Sequence, residues 1–187
     1  MSIVKLSAEP FVPKKHTLSI LRAAMPECRG CELYKHASKV VPGAGISRAK
    51  LMLVGEQPGD QEDKQGEPFV GPAGKMLRKA LAELKVDPKL VYVTNAVKHF
   101  KYVQRGKFRM HKSPDMREVN ACRPWLEAEI DAVKPDVVVA MGATAAKSLL
   151  GSGFRLMASH GVMQESRYAK NVMATVHPSA VLRAPDE

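Results

Sequence analysis

The sequence predicts an α/β fold, a three-layer α/β/α arrangement around a central four-stranded parallel sheet. Three observations carry that expectation. Four short apolar runs, at residues 50–54, 90–94, 136–140 and 172–176, have the length and composition of buried strands. Helical patterns at 74–84, 116–133 and 143–150 fall between them. Strands alternating with helices in this way build a parallel sheet whose two faces are covered.

In chain order, residues 1–15, which include Pro10 and Pro13, read as an extended N-terminal arm. A helix over 17–25 follows, with Thr17 as its cap and Leu18, Leu21 and Met25 on a common face. The first strand ends at Gly55, and the helix at 74–84 gathers Met76, Leu77, Ala80, Leu81 and Leu84 on one side. Between them runs a polar loop from Gly55 to Gly74, whose glycines and prolines fix a backbone path. The second strand leads to Asn95 and then to a basic loop, residues 101–114, longer than a compact turn requires. Pro114 and Asp115 start the long helix, and Gly142 links the third strand to the helix at 143–150. The fourth strand runs into His177. Glu56, Asn95, Gly142 and His177 therefore each follow a strand, and in a parallel sheet they converge on one edge, where open α/β sheets form their ligand crevice.

Composition narrows the class. A chain of 187 residues is read as one domain spanning 1–187, large enough to bury a core without disulfides. Lysine and arginine outnumber acids by 29 to 19, giving a net charge of +10 and a balance suited to a polyanionic partner. Aromatic residues, at 5%, are too few for a broad single-strand stacking platform. Residues 1–16 lack the apolar core of a signal peptide, and no apolar run is long enough to span a bilayer. A cytoplasmic monomer with no membrane partner is expected. Three cysteines, an odd number in a reducing compartment, point to metal or cluster binding. Cys28-Arg-Gly-Cys31 has the spacer that lets two thiolates grip one metal centre, and Cys122 adds a third thiol.

The loop after the first strand reads Gly-Glu-Gln-Pro-Gly-Asp-Gln-Glu-Asp-Lys-Gln-Gly-Glu-Pro-Phe-Val-Gly-Pro-Ala-Gly. It resembles the first signature of the iron–sulfur uracil-DNA glycosylases: Gly-Glu-x-Pro-Gly, then Glu-Asp, then Gly-x-Pro-Phe-Val-Gly-x-Ala-Gly. Gly55-Glu56, Pro58-Gly59, Glu62-Asp63, Gly66, Pro68 to Gly71 and Ala73-Gly74 all match. Gln57 points to the UdgX-type branch, where the family-4 group usually has alanine. The similarity runs from about Cys28 to Arg183, beyond which relatives usually continue into a further helix. By this resemblance Asn95 reads the uracil edge and Phe69 stacks on the ring. His177 opens His-Pro-Ser-Ala-Val-Leu-Arg, which is similar to the second signature, and approaches uracil O2 to stabilise the departing anion. Ser179 to Arg183 form the wedge and phosphate contacts, while Gly55 and Asp60 join the substrate-binding set.

Family-4 enzymes have a fourth cysteine ligand in Asn-x-Val-Lys-Cys, where this chain has Asn95-Ala-Val-Lys-His99. The resemblance therefore implies Cys28, Cys31, His99 and Cys122 as ligands of a structural [4Fe–4S] cluster. The residues themselves leave open a structural zinc with the same four ligands, or His99 as a bystander with His36 a lesser candidate. Arg109-Met-His111-Lys112 resembles the loop that marks UdgX-type proteins, usually Arg-Arg-Ile-His-Lys, with Phe108 and Met110 among the variants. In that branch the loop histidine bonds to C1′ of the deoxyribose once uracil has left. The resemblance implies His111 as nucleophile, Glu56 as its carboxylate, Gln57 as a positioning group, and Arg109 and Lys112 as phosphate contacts. The function expected is excision of uracil from single- or double-stranded DNA followed by covalent attachment in a single turnover. The alternatives are a conventional family-4 enzyme using activated water, and a non-catalytic module that binds uracil-containing DNA.

Overall fold

The structure, a computed structural model, describes residues 6–184. Its main sheet is built from β1 (Leu51–Gly55), β2 (Val91–Asn95), β5 (Val137–Met141), β6 (Met163–Ser166) and β7 (Ala169–Thr175), in the order β2-β1-β5-β7-β6. The first four of these in spatial order are mutually parallel, as expected from the sequence. The sheet is nonetheless five-stranded, because β6 adds antiparallel to β7 at the edge. Its residues, Met-Gln-Glu-Ser, alternate between half-buried and exposed, so this strand lacks the apolar run that marked the others. Edge strands need bury only one flank, which removes the sequence signal.

Period-two alternation sends successive strand residues to opposite faces. Met52, Val54, Val138, Ala140, Val172 and Ala174 pack on one face against Leu18 of α1 (Leu18–Ala24), Leu126, Ile130 and Val133 of α4 (Met116–Val133), and Ala145 and Leu149 of α5 (Ala143–Leu150). Leu53, Val139 and Met141 pack on the other, against Phe69 and against Leu77 and Leu81 of α3 (Pro72–Glu83). Thr17 caps α1, its hydroxyl accepting from Ile20 N–H, as the sequence predicts. No helix among the described residues is long and apolar enough to cross a membrane.

Two stretches read as loops are ordered differently. Within the loop after β1, Asp60–Gln65 forms a short helix, α2, and Glu62 ties both ends of that loop by accepting from Gly59 N–H (3.0 Å) and Gly71 N–H (2.8 Å). The basic segment after β2 is a hairpin of β3 (Tyr102–Arg105) and β4 (Phe108–His111), pairing Tyr102 with His111. Gly106 turns it at φ +55, a left-handed conformation that glycine adopts without a Cβ penalty. Most outward residues of this hairpin are exposed, so its strands carry no core-facing run to be read. Of the N-terminal arm, residues 1–5 lie outside the described residues. Beyond them Glu9–Phe11 makes a 3-10 turn, and Ala8, buried, donates its N–H to Ala121 O at 2.7 Å.

Register fixes the functional edge. Gly55 lies opposite Asn95, Val54 opposite Ala140, and Met141 opposite Thr175. The connection from β1 crosses towards β2, whereas that from β5 crosses towards β7. The switch point between β1 and β5 is where such sheets open a crevice.

Candidate active site

A cleft of about 920 Å³ lies along this edge, lined by Glu56, Gln57, Phe69, Asn95, His111 and His177 among others. The residues expected at the strand ends thus share one cavity, together with Gly142, Ser179 and Arg183.

Gln57 organises the hairpin. Its Oε1 accepts from Lys101 N–H (2.9 Å), and its Nε2 lies 3.1 Å from both Lys101 O and Lys112 O. Those atoms are the two ends of the hairpin, so one side-chain amide clamps it shut at its base. The same Nε2 is 3.0 Å from His111 Nε2. His111 Nε2 in turn stands 3.5 Å from Glu56 Oε1, on a half-exposed ring facing a mostly covered carboxylate. The other carboxylate oxygen of Glu56 accepts from the Thr144 hydroxyl.

His177 caps α6 (Pro178–Val181) by accepting Ser179 N–H at Nδ1 (3.2 Å), with Ser179 Oγ also 2.7 Å away. Because Nδ1 must accept from a backbone N–H, the neutral ring carries its proton on Nε2, leaving that N–H as a donor for a ligand of the cleft. Burial, opposed by Glu56, holds the His177 pKa below the ordinary 6.5 and keeps the ring neutral. The sign follows: as pH falls below 6.5 the unfolded chain takes up a proton before the folded one does, so stability drops until the folded pKa is passed. Thermal melts against pH should show a steeper acid decline for wild type than for His177→Gln. Equal slopes would contradict a buried neutral ring.

Asn95 is buried, and its side-chain amide makes no hydrogen bond to other described residues, leaving donor and acceptor for a ligand. Gly55 lets it approach: a Cβ there would stand 2.4 Å from Asn95 Oδ1 and 2.8 Å from the Phe69 ring. Phe69 sits at φ +57, an uncommon conformation for a bulky residue, and its ring is 6.3 Å from that of His177. Gly74 allows this bend, since a Cβ there would meet Phe69 O at 1.6 Å. The strain lies at the cleft wall, where such conformations concentrate.

Residues 42–187 match the family model described as the Uracil DNA glycosylase superfamily. The chain belongs to that superfamily. It is 35% identical over 175 residues to a Type-4 uracil-DNA glycosylase of Pyrobaculum aerophilum, covering 90% of this chain and 86% of the relative. The corresponding figures are 36% over 173 residues, 89% and 83% for the Type-4 uracil-DNA glycosylase of Archaeoglobus fulgidus. For that of Thermotoga maritima they are 33% over 171 residues, 91% and 85%.

Within this superfamily member, the geometry of Arg109 differs from the one expected. Arg109, expected to meet phosphate, points inward: Nε donates to Asp60 Oδ1 (2.6 Å) and a terminal nitrogen to Asp63 Oδ2 (2.6 Å). It pins the hairpin onto α2, and its guanidinium lies 5.1 Å from the Tyr102 ring centre. Asp60 is correspondingly occupied, held below its ordinary pKa by Lys64 and by Arg109. Gln57, expected to help position the sugar or its attacking group, holds the hairpin backbone and contacts His111. Lys112 is exposed and lies outside the cleft lining, whereas Arg183 lies within it. Thr144, Ser113, Leu156 and Met157 also line the cleft or hold its groups, and the sequence did not single them out. Their positions depend on which strands become neighbours, which one-dimensional patterns do not state.

The expected metal ligands converge elsewhere. Cys28, Cys31, His99 and Cys122 line one small buried cavity beneath the N-terminal arm. Gly30 is needed there, because a Cβ would lie 2.6 Å from the Ala8 backbone. Burial pushes the Cys31 thiol up to about 11 and Cys122 up to about 12, and takes His99 down to about 4. His36 is not among the lining residues; its carbonyl instead accepts from Tyr102 Oη (3.1 Å). Among the described residues no group of three or more His, Cys, Asp or Glu side chains is arranged to hold a single metal ion. Three thiols and an imidazole in one cavity are suitable donors for a metal centre.

Proposed function

We propose that this chain is a uracil-DNA glycosylase that excises uracil from DNA and is then captured on the abasic site through His111. The observation that carries this reading is the contact of His111 Nε2 with Glu56 Oε1 at 3.5 Å, on a hairpin clamped by Gln57. An anchored imidazole beside a carboxylate can compete with water for a sugar cation.

The chain's own groups account for each step. A flipped nucleotide enters the cleft, with Asn95 hydrogen-bonding the uracil edge and Phe69 against its face. The C1′–N1 bond breaks, and uracil leaves with the bonding pair. His177 Nε2–H stabilises its developing charge, the role of an oxyanion donor. The remaining oxocarbenium-like sugar is electrophilic at C1′, and the Glu56 carboxylate offsets its charge. The His111 Nε2 lone pair then forms the N–C1′ bond, with the ring proton on Nδ1 lost to solvent. While the ring is cationic, Glu56 at 3.5 Å stabilises it more than it did the neutral ring, which favours capture. The net charge of +10 favours the DNA polyanion at a distance.

Cys28, Cys31, His99 and Cys122 are the residues that would hold a [4Fe–4S] cluster, which when bound would cross-link the Cys28 turn, the segment after β2 and α4. A coloured preparation with iron–sulfide absorption supports the cluster, while a colourless one containing zinc supports the alternative.

Incubation of the wild-type protein with a uracil-containing oligonucleotide, followed by denaturing electrophoresis, is expected to show a persistent slow band and free uracil in equal amounts. Free uracil in excess of enzyme with no such band identifies the water-using reaction. Binding without free uracil identifies a non-catalytic module.

A further inference from the structure

We infer that Thr144 is a positioning residue for Glu56, fixing which carboxylate oxygen faces the reacting sugar. The inference rests on the reading of the cleft as the place where the glycosidic bond is broken. It concerns a residue 88 positions away from Glu56 in sequence, reached only across the sheet's switch point.

Threonine near a helix start is ordinarily an N-cap, its oxygen accepting a backbone N–H of its own helix. That account fails here. The N-cap of α5 is Gly142, at φ +91, and no side-chain cap bond is present. Gly142 also lies against His177: a Cβ there would stand 3.1 Å from His177 Cβ, so the tight turn that starts α5 is packed against the site. From the second position of this helix the Thr144 hydroxyl donates to Glu56 Oε2.

Glu56 is thereby held at both ends. Its backbone carbonyl accepts from Val97 N–H at 3.0 Å, which fixes the main chain after β1. Its Oε2 is held by Thr144, and Oε1 is left towards His111. A carboxylate rotates freely about its terminal torsion, which has only broad preferences. With Thr144 removed, nothing else among the described side chains fixes that rotation, since the remaining side-chain contact is the one with His111 itself. The hydroxyl thus separates the two oxygens by function, one for anchorage and one for the cation. Supporting groups of this kind hold reacting ones within a fraction of an ångström of the productive geometry.

The test compares wild type with Thr144→Val, which keeps the shape and removes the donor, and with Thr144→Ser, which restores it. Excess protein is mixed with a uracil-containing single-stranded oligonucleotide, and free uracil and covalent adduct are followed in time. Affinity is measured separately with the 2′-fluoro-deoxyuridine oligonucleotide, whose fluorine slows departure of the base. Thr144→Val is expected to slow uracil release between about tenfold and a hundredfold, the range set by a misplaced reacting group, with affinity unchanged. It is also expected to lower the ratio of adduct to free uracil, and Thr144→Ser is expected to restore both. Wild-type rate and ratio in Thr144→Val overturn the inference. So does equal impairment of the serine variant, which would mark a packing role for the methyl group. If wild type frees uracil without forming an adduct, the covalent reading fails, and the release rates of the two variants still decide the role of Thr144. If wild type frees no uracil, the reading of the cleft and this inference fall together.

Discussion

Replacing His111 with alanine is expected to abolish the covalent adduct, a loss of at least about a hundredfold in yield, because it removes the group proposed to bond C1′. The ring is held 3.0 Å from Gln57 Nε2 and 3.5 Å from Glu56 Oε1, and its removal leaves the carboxylate facing a space that water can occupy. Uracil release is therefore expected to persist and to become catalytic, with more than one uracil freed per protein. The hairpin should keep its shape in this variant. Its base is closed by Gln57 contacts to backbone atoms of Lys101 and Lys112, and its outer strand is tied to α2 by Arg109, none of which involves the imidazole. The readouts are adduct on a denaturing gel and free uracil per mole of protein. Full-yield cross-linking by His111→Ala would show that the nucleophile lies elsewhere.

The second large effect concerns stability. Lys98 and Glu129 form a buried ion pair at 2.7 Å, with both side chains 1% exposed. The Lys98 ammonium also donates to Thr94 Oγ1 and Asn95 O, each at 2.7 Å. Glu129 accepts in addition from Tyr92 Oη (3.2 Å) and Gly43 N–H (2.8 Å). Every charge-bearing atom is therefore satisfied without water. Lys98→Met leaves a buried carboxylate without its cation and is expected to cost about 3–5 kcal/mol. For a protein of this size that corresponds to a fall in Tm on the order of 6–20 °C. The double variant Lys98→Met/Glu129→Leu should recover a large part of the loss, since an apolar pair needs no desolvation of charge. Thermal melts of the three proteins check this. A single variant within about 1 kcal/mol of wild type, or a double variant as unstable as the single, would contradict it. The pair also matters at the cleft, because Lys98 holds the backbone carbonyl of Asn95, which lines it.

Much of this arrangement was legible in one dimension, and the reasons differ between elements. The helix over 116–133 and that over 143–150 were bounded correctly, because Pro114 with Asp115, and Gly142, are local stop and start signals. The four parallel strands were found because strands buried on both faces are continuous apolar runs. The edge strand β6 and the hairpin β3–β4 leave no such run for the opposite reason, since each is largely exposed and held by contacts at a distance. The convergence of Glu56, Asn95 and His177 followed from one geometric rule, that parallel strands place their carboxyl ends together.

Roles were harder to read than places. Arg109 in a basic segment has the sequence signature of a phosphate contact, yet the structure spends it on Asp60 and Asp63, and the nearly fully buried Asp63 also accepts from Ser38 N–H. A basic residue's partner is set by which acid faces it after folding. Gln57 stands out in the sequence by its identity, and its grip on both ends of the hairpin emerges only once those ends are side by side.

The four parallel strands, the helices between them, the loops that line the cleft and the cysteine pair were determined by the sequence alone, because propensity, periodicity and turn chemistry act over a few neighbouring residues. Tertiary structure alone decided that the Thr144 hydroxyl reaches Glu56 and that Arg109 turns inward. Such contacts join residues tens of positions apart, and their energies depend on distance and burial, quantities that exist only after the chain has packed.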